Sequence, residues 1–152
     1  MSGDSGVFSA GMARVLADQA VLSYEALVLL SAMPDKTSPN VRAVLEADYT
    51  AICGFAWRIA NAIRTHGGVM PKDLGEIVDM SSIKRLETSD DTRLLLRNYL
   101  NSHRVVAEGL RFMATLMGTR YPGDSEELFF ALQSYHDGAI KRIGALLDED
   151  GT

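Results

Sequence analysis

Three histidines, one cysteine and 20 acidic residues are the groups in this chain with the chemistry to hold a metal or move a proton. Cys53 has no second cysteine for a disulfide, and with only three histidines it gives no ordinary structural zinc set. His66 stands before a glycine pair at the end of an apolar-periodic segment, where a partly charged imidazole suits a helix C-terminus. His103 and His136 fall on or beside apolar stripes, the pattern of hydrogen-bonded core histidines. A phosphoryl-accepting role for His103 is disfavoured, because NSHRVVAEG lacks the lysine and small residues expected beside such a histidine. Asp48 is the polar exception on an inner stripe. An unpaired buried carboxylate is costly, so Asp48 is expected to find a partner among Tyr99, Tyr135 and His103. Asp124 and Glu127, three residues apart, read as a capping box that opens a helix.

These residues are carried by four long segments of helical periodicity, 9–33, 39–66, 89–118 and 124–148, with almost no alternation of period two. Ser38-Pro39 opens the second, with serine as cap and proline in the first turn. Gly67-Gly68 closes it, and a small helical pattern at 74–80 interrupts the long connection that follows. The other two connections are short and make antiparallel neighbours, while the long one allows a crossover along the bundle. The expected architecture is all-α, a single domain over 1–152 folded as a four-helix bundle with a ferritin-like path, with residues 1–8 a flexible N-terminus. The second half of the first helix is apolar nearly all round, which requires cover on several sides.

Hydrophobic residues at 47% and charged residues at 23% give an ordinary folded composition, and 15 basic against 20 acidic residues leave a net charge of −5. That balance argues against a polyanion-binding protein. The first ten residues lack a secretory pattern, and the most apolar run, 26–33, is much shorter than the roughly 20 residues that cross a bilayer. A cytoplasmic chain without membrane contact is the expectation.

On the second helix, Val41, Val44, Leu45, Ile52, Phe55, Ile59 and Ile63 define the inner face. Arg42, Glu46, Cys53, Trp57 and Asn61 follow at four- and seven-residue steps on another. Trp57 lies about 200° round from Phe55, so it is either a lone exposed tryptophan or half of a contact with another chain. The contact is favoured, because tryptophan is enriched at interface centres. Cys53 on the same face reads as a small interface hydrophobe and not a redox sensor, since the local sequence sets no clear basic neighbour beside it.

The run IANAIRTHGGVMPKDLGEIVDMSSIK, with NYLNSHRVVAEGLR and LQSYHDGAIKRI downstream, resembles the Dps (DNA-protection-during-starvation) proteins, small cages of the ferritin superfamily. The resemblance covers roughly 41–147 and is carried most by the glycine pair and the loop helix after it. It implies a ferritin-like four-helix bundle with a short helix between the second and third long helices, and a dodecamer built from dimers along the first two. It also implies oxidation of ferrous iron at a site shared by two subunits, with histidines and carboxylates as ligands. Aligned on the glycines, this chain places Trp57 and Asn61 at two acidic ligand positions, Arg42 at a histidine, Glu46 at a nearby acid, and Leu30 close to the other histidine. Iron requires hard oxygen and imidazole donors with open positions. One carboxylate beside an arginine does not provide them, so no cofactor is expected although iron is the family ligand. Asp124 and Glu127 match carboxylates lining the family's three-fold pores.

The function expected is a cage subunit without ferroxidase activity, in a structural or stress-protective role. The alternatives are an iron-binding enzyme with a relocated site involving Glu46, Asp48 and histidines, or a dimeric helical interaction module. Family members bind DNA through basic tails, and MSGDSGVF and LLDEDGT contain no Lys or Arg, so tail-mediated DNA binding is not expected.

Overall fold

The computed structural model describes residues 2–84, 89–118 and 120–150. Five helices account for the regular structure among them: α1 (Ser2–Ala32), α2 (Pro39–Thr65), α3 (Leu74–Met80), α4 (Thr92–Met117) and α5 (Ser125–Asp150). Positions 85–88 of the long connection lie outside the described residues.

Local chemistry sets the ends. The Ser38 hydroxyl accepts the Asn40 N–H and Pro39 occupies the first turn of α2. Gly67 leaves that helix at φ 73°, in the left-handed region that a side chain disfavours, while the Gly68 N–H returns to the Ile63 carbonyl at 2.9 Å. The short α3 is held by a reciprocal cap. Asp73 accepts the Glu76 N–H at 2.9 Å, and the Glu76 carboxylate accepts the Lys72 N–H at 2.6 Å. Asp91 caps α4 by accepting the N–H groups of Arg93 and Leu94.

Packing partners fix the path. Phe8 near the start of α1 lies against His66 at the end of α2 and Phe129 at the start of α5, and Gly11 faces Met113 near the end of α4. At the opposite end, the Arg93 guanidinium donates to the Leu147 carbonyl. Helices α2 and α4 therefore run parallel, and the connection between them travels the length of the bundle. It passes the middle of α1, where the Ser81 hydroxyl and the Ser82 N–H both donate to Asp18 Oδ1, at 2.8 and 2.6 Å. Ser81 Oγ in turn accepts the Ile83 N–H at 3.0 Å. Ser81→Ala strips a donor from a buried carboxylate and an acceptor from a buried N–H, so we expect a loss of about 1–3 kcal/mol. Thermal unfolding checks this, and an unchanged midpoint would exclude the clip as a stabilising contact.

The buried apolar residues form one continuous cluster contributed by all four long helices. Two expectations need correction. Phe8, placed in a flexible N-terminus, is buried at 1% exposure within α1, because its ring fills the gap between His66 and Phe129. Among the described residues α1 is also long and apolar enough over Gly6–Ala32 to cross a membrane, although no apolar run in the sequence had that length. Here that apolarity serves the bundle on one side, with Met12, Val15, Leu22, Ala26 and Leu29 buried. Full cover of its second half is not found within the chain, where Tyr24, Leu27 and Val28 are exposed.

Candidate functional site

All four long helices send polar side chains to one place in the core. Gln19 comes from α1, Asp48 from α2, Tyr99 and His103 from α4, and Tyr135 and His136 from α5. Gln19, Asp48, His103 and His136 are each buried, at 3% exposure or less. Their hydrogen bonds form a line: Gln19 Nε2 to His136 Nε2 at 3.0 Å, His136 Nδ1 to His103 Nδ1 at 2.9 Å, and His103 Nε2 to Asp48 Oδ2 at 2.8 Å. The Tyr99 hydroxyl donates to Asp48 Oδ2 and the Tyr135 hydroxyl to Oδ1.

Donor and acceptor chemistry gives this line a direction. An amide nitrogen can only donate, so His136 Nε2 accepts and its proton sits on Nδ1. That proton is donated to His103 Nδ1, which leaves His103 protonated on Nε2 and donating to the carboxylate. The result is one ionised Asp48 and two neutral imidazoles. Burial pushes the Asp48 carboxyl up, but the His103 N–H and the two tyrosine hydroxyls outweigh it and hold the group below its ordinary value of 3.8. Burial, with His103 beside it, pushes His136 down from 6.5 to about 3. Desolvation and the Asp48 charge hold both phenols far above 10. The chain can take a proton at His103 only if His136 turns its donor towards Gln19, whose amide must then present Oε1. That oxygen has no partner among the described residues.

Ferritin-type bundles bind metal at their centres with carboxylates and Glu-x-x-His pairs projecting inward. The donors converging here do not fit a metal ion without rearrangement. Both nitrogens of both imidazoles are already engaged, and His103 would have to release either Asp48 or His136. No cluster of three or more His, Cys, Asp or Glu suited to a metal occurs among the described residues.

The other residues marked by the sequence lie elsewhere. Trp57 is 70% exposed, with Glu46 and Cys53 also exposed, Arg42 and Asn61 half-buried, and Leu30 packed on the core. Arg42 and Trp57 are 15 residues apart on one straight helix, about 22 Å along its axis, so a single chain does not bring them together. Asn61 instead lines a polar cleft of about 330 Å³ with Arg58, His66, Asp124 and Glu127. The expected capping box is not formed. The helix begins at Ser125, as such a box requires, but the Glu127 N–H bonds to the Asp124 carbonyl at 3.2 Å instead of to its side chain. Asp124 and Glu127 are both exposed at the mouth of this cleft.

All three partners proposed for Asp48 bind it. The links from His103 to His136 and from His136 to Gln19 went unread. Their one signal was a glutamine on the inner stripe of the first helix, a position that demands a partner.

Compared by sequence, the chain matches no family model and no curated protein. Compared by structure, it is similar to DpsC from Streptomyces coelicolor, with TM-score 0.88, 14% identity, and 97% of this chain and 87% of that one covered. It is similar to the dodecameric thioferritin of Bacteroides fragilis, a bacterioferritin-related protein, with TM-score 0.87, 14% identity, and coverage of 97% and 88%. The Dps protein of Vibrio cholerae O1 gives TM-score 0.85 and 16% identity over 95% of this chain and 91% of its own. At such identities the likeness speaks to architecture: this chain has the Dps-like ferritin fold, an all-α four-helix bundle with a short helix between its second and third long helices.

Proposed function

We propose that the chain is a cytoplasmic subunit of a Dps-type cage that does not oxidise iron and that acts as a structural or protective shell, alone or mixed with active relatives. The observation that carries this is the residue set on the outer face of α2. Where the resemblance implies iron ligands, that face holds Arg42, Glu46, Trp57 and Asn61, one carboxylate among a guanidinium, an indole and an amide. A guanidinium repels ferrous iron, and an indole offers it no donor. Assembly is supported by large apolar side chains exposed in the isolated chain, Trp57 on α2 and, separately, Tyr24, Leu27 and Val28 on α1. Single exposed apolar residues are ordinary, but tryptophan is enriched at interface centres, so the exposed indole of Trp57 is the stronger support.

Size-exclusion chromatography with light scattering tests the assembly. The expected mass is near twelve times 16.6 kDa, the stoichiometry of the Bacteroides fragilis protein. Trp57→Glu is expected to shift the elution to smaller species, and an unchanged assembly would remove Trp57 from the interface. Anaerobic ferrous titration followed by peroxide tests the chemistry, with absorbance growth no faster than in buffer as the expected result. A catalysed rate abolished by Asp48→Asn would favour a second reading, a metal site relocated to the bundle centre. The convergence of Asp48, His103 and His136 is what recommends that alternative.

A further inference from the structure

The buried line of hydrogen bonds reaches the surface beside Asp48. A cleft of about 420 Å³ between α2 and α5 is lined by Asp48 and Tyr135, with Ala43, Val44, Ala47 and Arg142. Tyr135 is half-buried there, and the Arg142 guanidinium lies over its ring at 5.2 Å from the centroid. Tyr99, deeper in the core, is only 1% exposed. The two phenols share one carboxylate, Tyr135 donating to Oδ1 and Tyr99 to Oδ2. Asp48 is ionised while both imidazoles are neutral, so the line holds one net negative charge, and a charge in a low-dielectric core is costly. Burial and Asp48 hold both phenols far above 10, so neither yields its proton to water. Such a phenol loses its proton readily only when an electron leaves with it. The base that would receive that proton is already hydrogen-bonded to each hydroxyl.

We propose that Tyr135 and Tyr99 form an electron-donating pair: Tyr135 reduces a strong one-electron oxidant that reaches the α2–α5 cleft, and the vacancy then passes to Tyr99. In the first step Tyr135 gives one electron to the oxidant and its hydroxyl proton to Asp48 Oδ1. The products are a neutral phenoxyl radical, a neutral carboxylic acid and the oxidant reduced by one electron. The line thereby sheds its net negative charge, so the same burial that makes the carboxylate costly favours the oxidation. In the second step Tyr99 gives an electron to Tyr135 and a proton to Oδ2, while Oδ1 returns its proton to Tyr135. One carboxylate serves both phenols, and the radical ends on the ring that solvent reaches least. The Arg142 guanidinium over Tyr135 opposes a cationic ring, and loss of the proton with the electron avoids one. The pair lies within a single chain and does not depend on assembly.

The test mixes the whole protein with hexachloroiridate(IV) as the oxidant and reads the radicals by freeze-quench electron paramagnetic resonance. A tyrosyl signal at least tenfold longer-lived than that of N-acetyltyrosinamide under the same conditions is the result expected. Tyr135→Phe is expected to lower its yield at least tenfold, and Tyr99→Phe to shorten its lifetime at least tenfold. Each of these variants leaves Asp48 two of its three donors. Tyr121→Phe, outside the line, is expected to leave the signal unchanged. Because the proton moves with the electron, formation in the unaltered protein is expected to be about twofold slower in D2O, a result that stands even if a variant fails to fold. A tryptophanyl signal from exposed Trp57 with no tyrosyl signal would overturn the pair. So would an equal yield in folded Tyr135→Phe, an equal lifetime in folded Tyr99→Phe, or equal rates of formation in H2O and D2O.

Discussion

Asp48→Ala is expected to be among the costliest single substitutions in the molecule, lowering unfolding free energy by about 3–5 kcal/mol. The carboxylate accepts from Tyr99, Tyr135 and His103 at once, and alanine leaves three donors without it, those of Tyr99 and His103 from buried residues and that of Tyr135 half-buried beside a surface cleft. The size of the loss comes from those orphaned donors more than from the strength of any one bond, because an unsatisfied buried group bears its whole desolvation penalty. A second variant separates the two causes. Asp48→Leu combined with Tyr99→Phe and Tyr135→Phe removes the acceptor and two donors together, and is expected to recover much of what the single change loses. Urea unfolding of the parent, the single and the triple variant decides it. A cost below about 1 kcal/mol for Asp48→Ala would mean that the line of bonds contributes little to holding the helices together.

The elements were legible because they rest on local chemistry. Ser38-Pro39, Asp91 and the glycines at 67 and 118 punctuate the helices where periodicity begins and ends, and the loop helix falls at Leu74–Met80 as its pattern required. Asp48 was legible as a residue in need of a partner, since a carboxylate on an apolar stripe contradicts its surroundings. What the sequence could not give was the order of the line beyond it. The contact between His103 and His136 depends on the rotation of two helices about their own axes, and a stripe fixes that rotation only to within one side chain. The start of α1 was hidden for another reason. Glycine and serine at positions 2–6 are poor helix formers, and it is Phe8 packing against two other helices that makes the early turn worth forming. At Asp124 the local signal was real and a backbone bond took its place. The SSIK run that carried part of the resemblance serves to clip the crossover onto Asp18, a structural duty and not a catalytic one.

Glu25→Gln is expected to change the pH dependence of stability, because half-buried Glu25 and buried His136 titrate with opposite effects over overlapping ranges in the parent. His136 titrates near 6.5 when unfolded and about 3 in the fold. Between those values only the unfolded chain takes the proton, so stability present above 6.5 is lost as pH falls towards 3. Glu25 works the other way. Its carboxyl moves from 4.5 up to about 7, so the folded chain holds the extra proton and stability present below 4.5 is lost as pH rises through 7. From 4.5 to 6.5 the two slopes, each about 1.4 kcal/mol per pH unit for one proton, oppose and largely cancel in the parent. Asp18, held above 3.8 by burial against its donors Ser81 and Ser82, adds to the side of Glu25 as the pH approaches that value. Below 4.5 Glu25 no longer compensates His136, and below 3.8 Asp48 joins the loss, so the parent is expected to hold a plateau and then fall steeply. Glu25→Gln exposes the histidine. The variant is expected to be more stable than the parent at pH 8 by roughly 1–3 kcal/mol, and to lose that advantage progressively as the pH falls from about 7 to 4.5. Urea unfolding at half-unit steps from pH 4 to 8 reads this directly. Parallel curves for parent and variant across that range would show that Glu25 is as free to ionise in the folded bundle as in water, and that its place between α1 and α4 is wetter than the packing around it indicates.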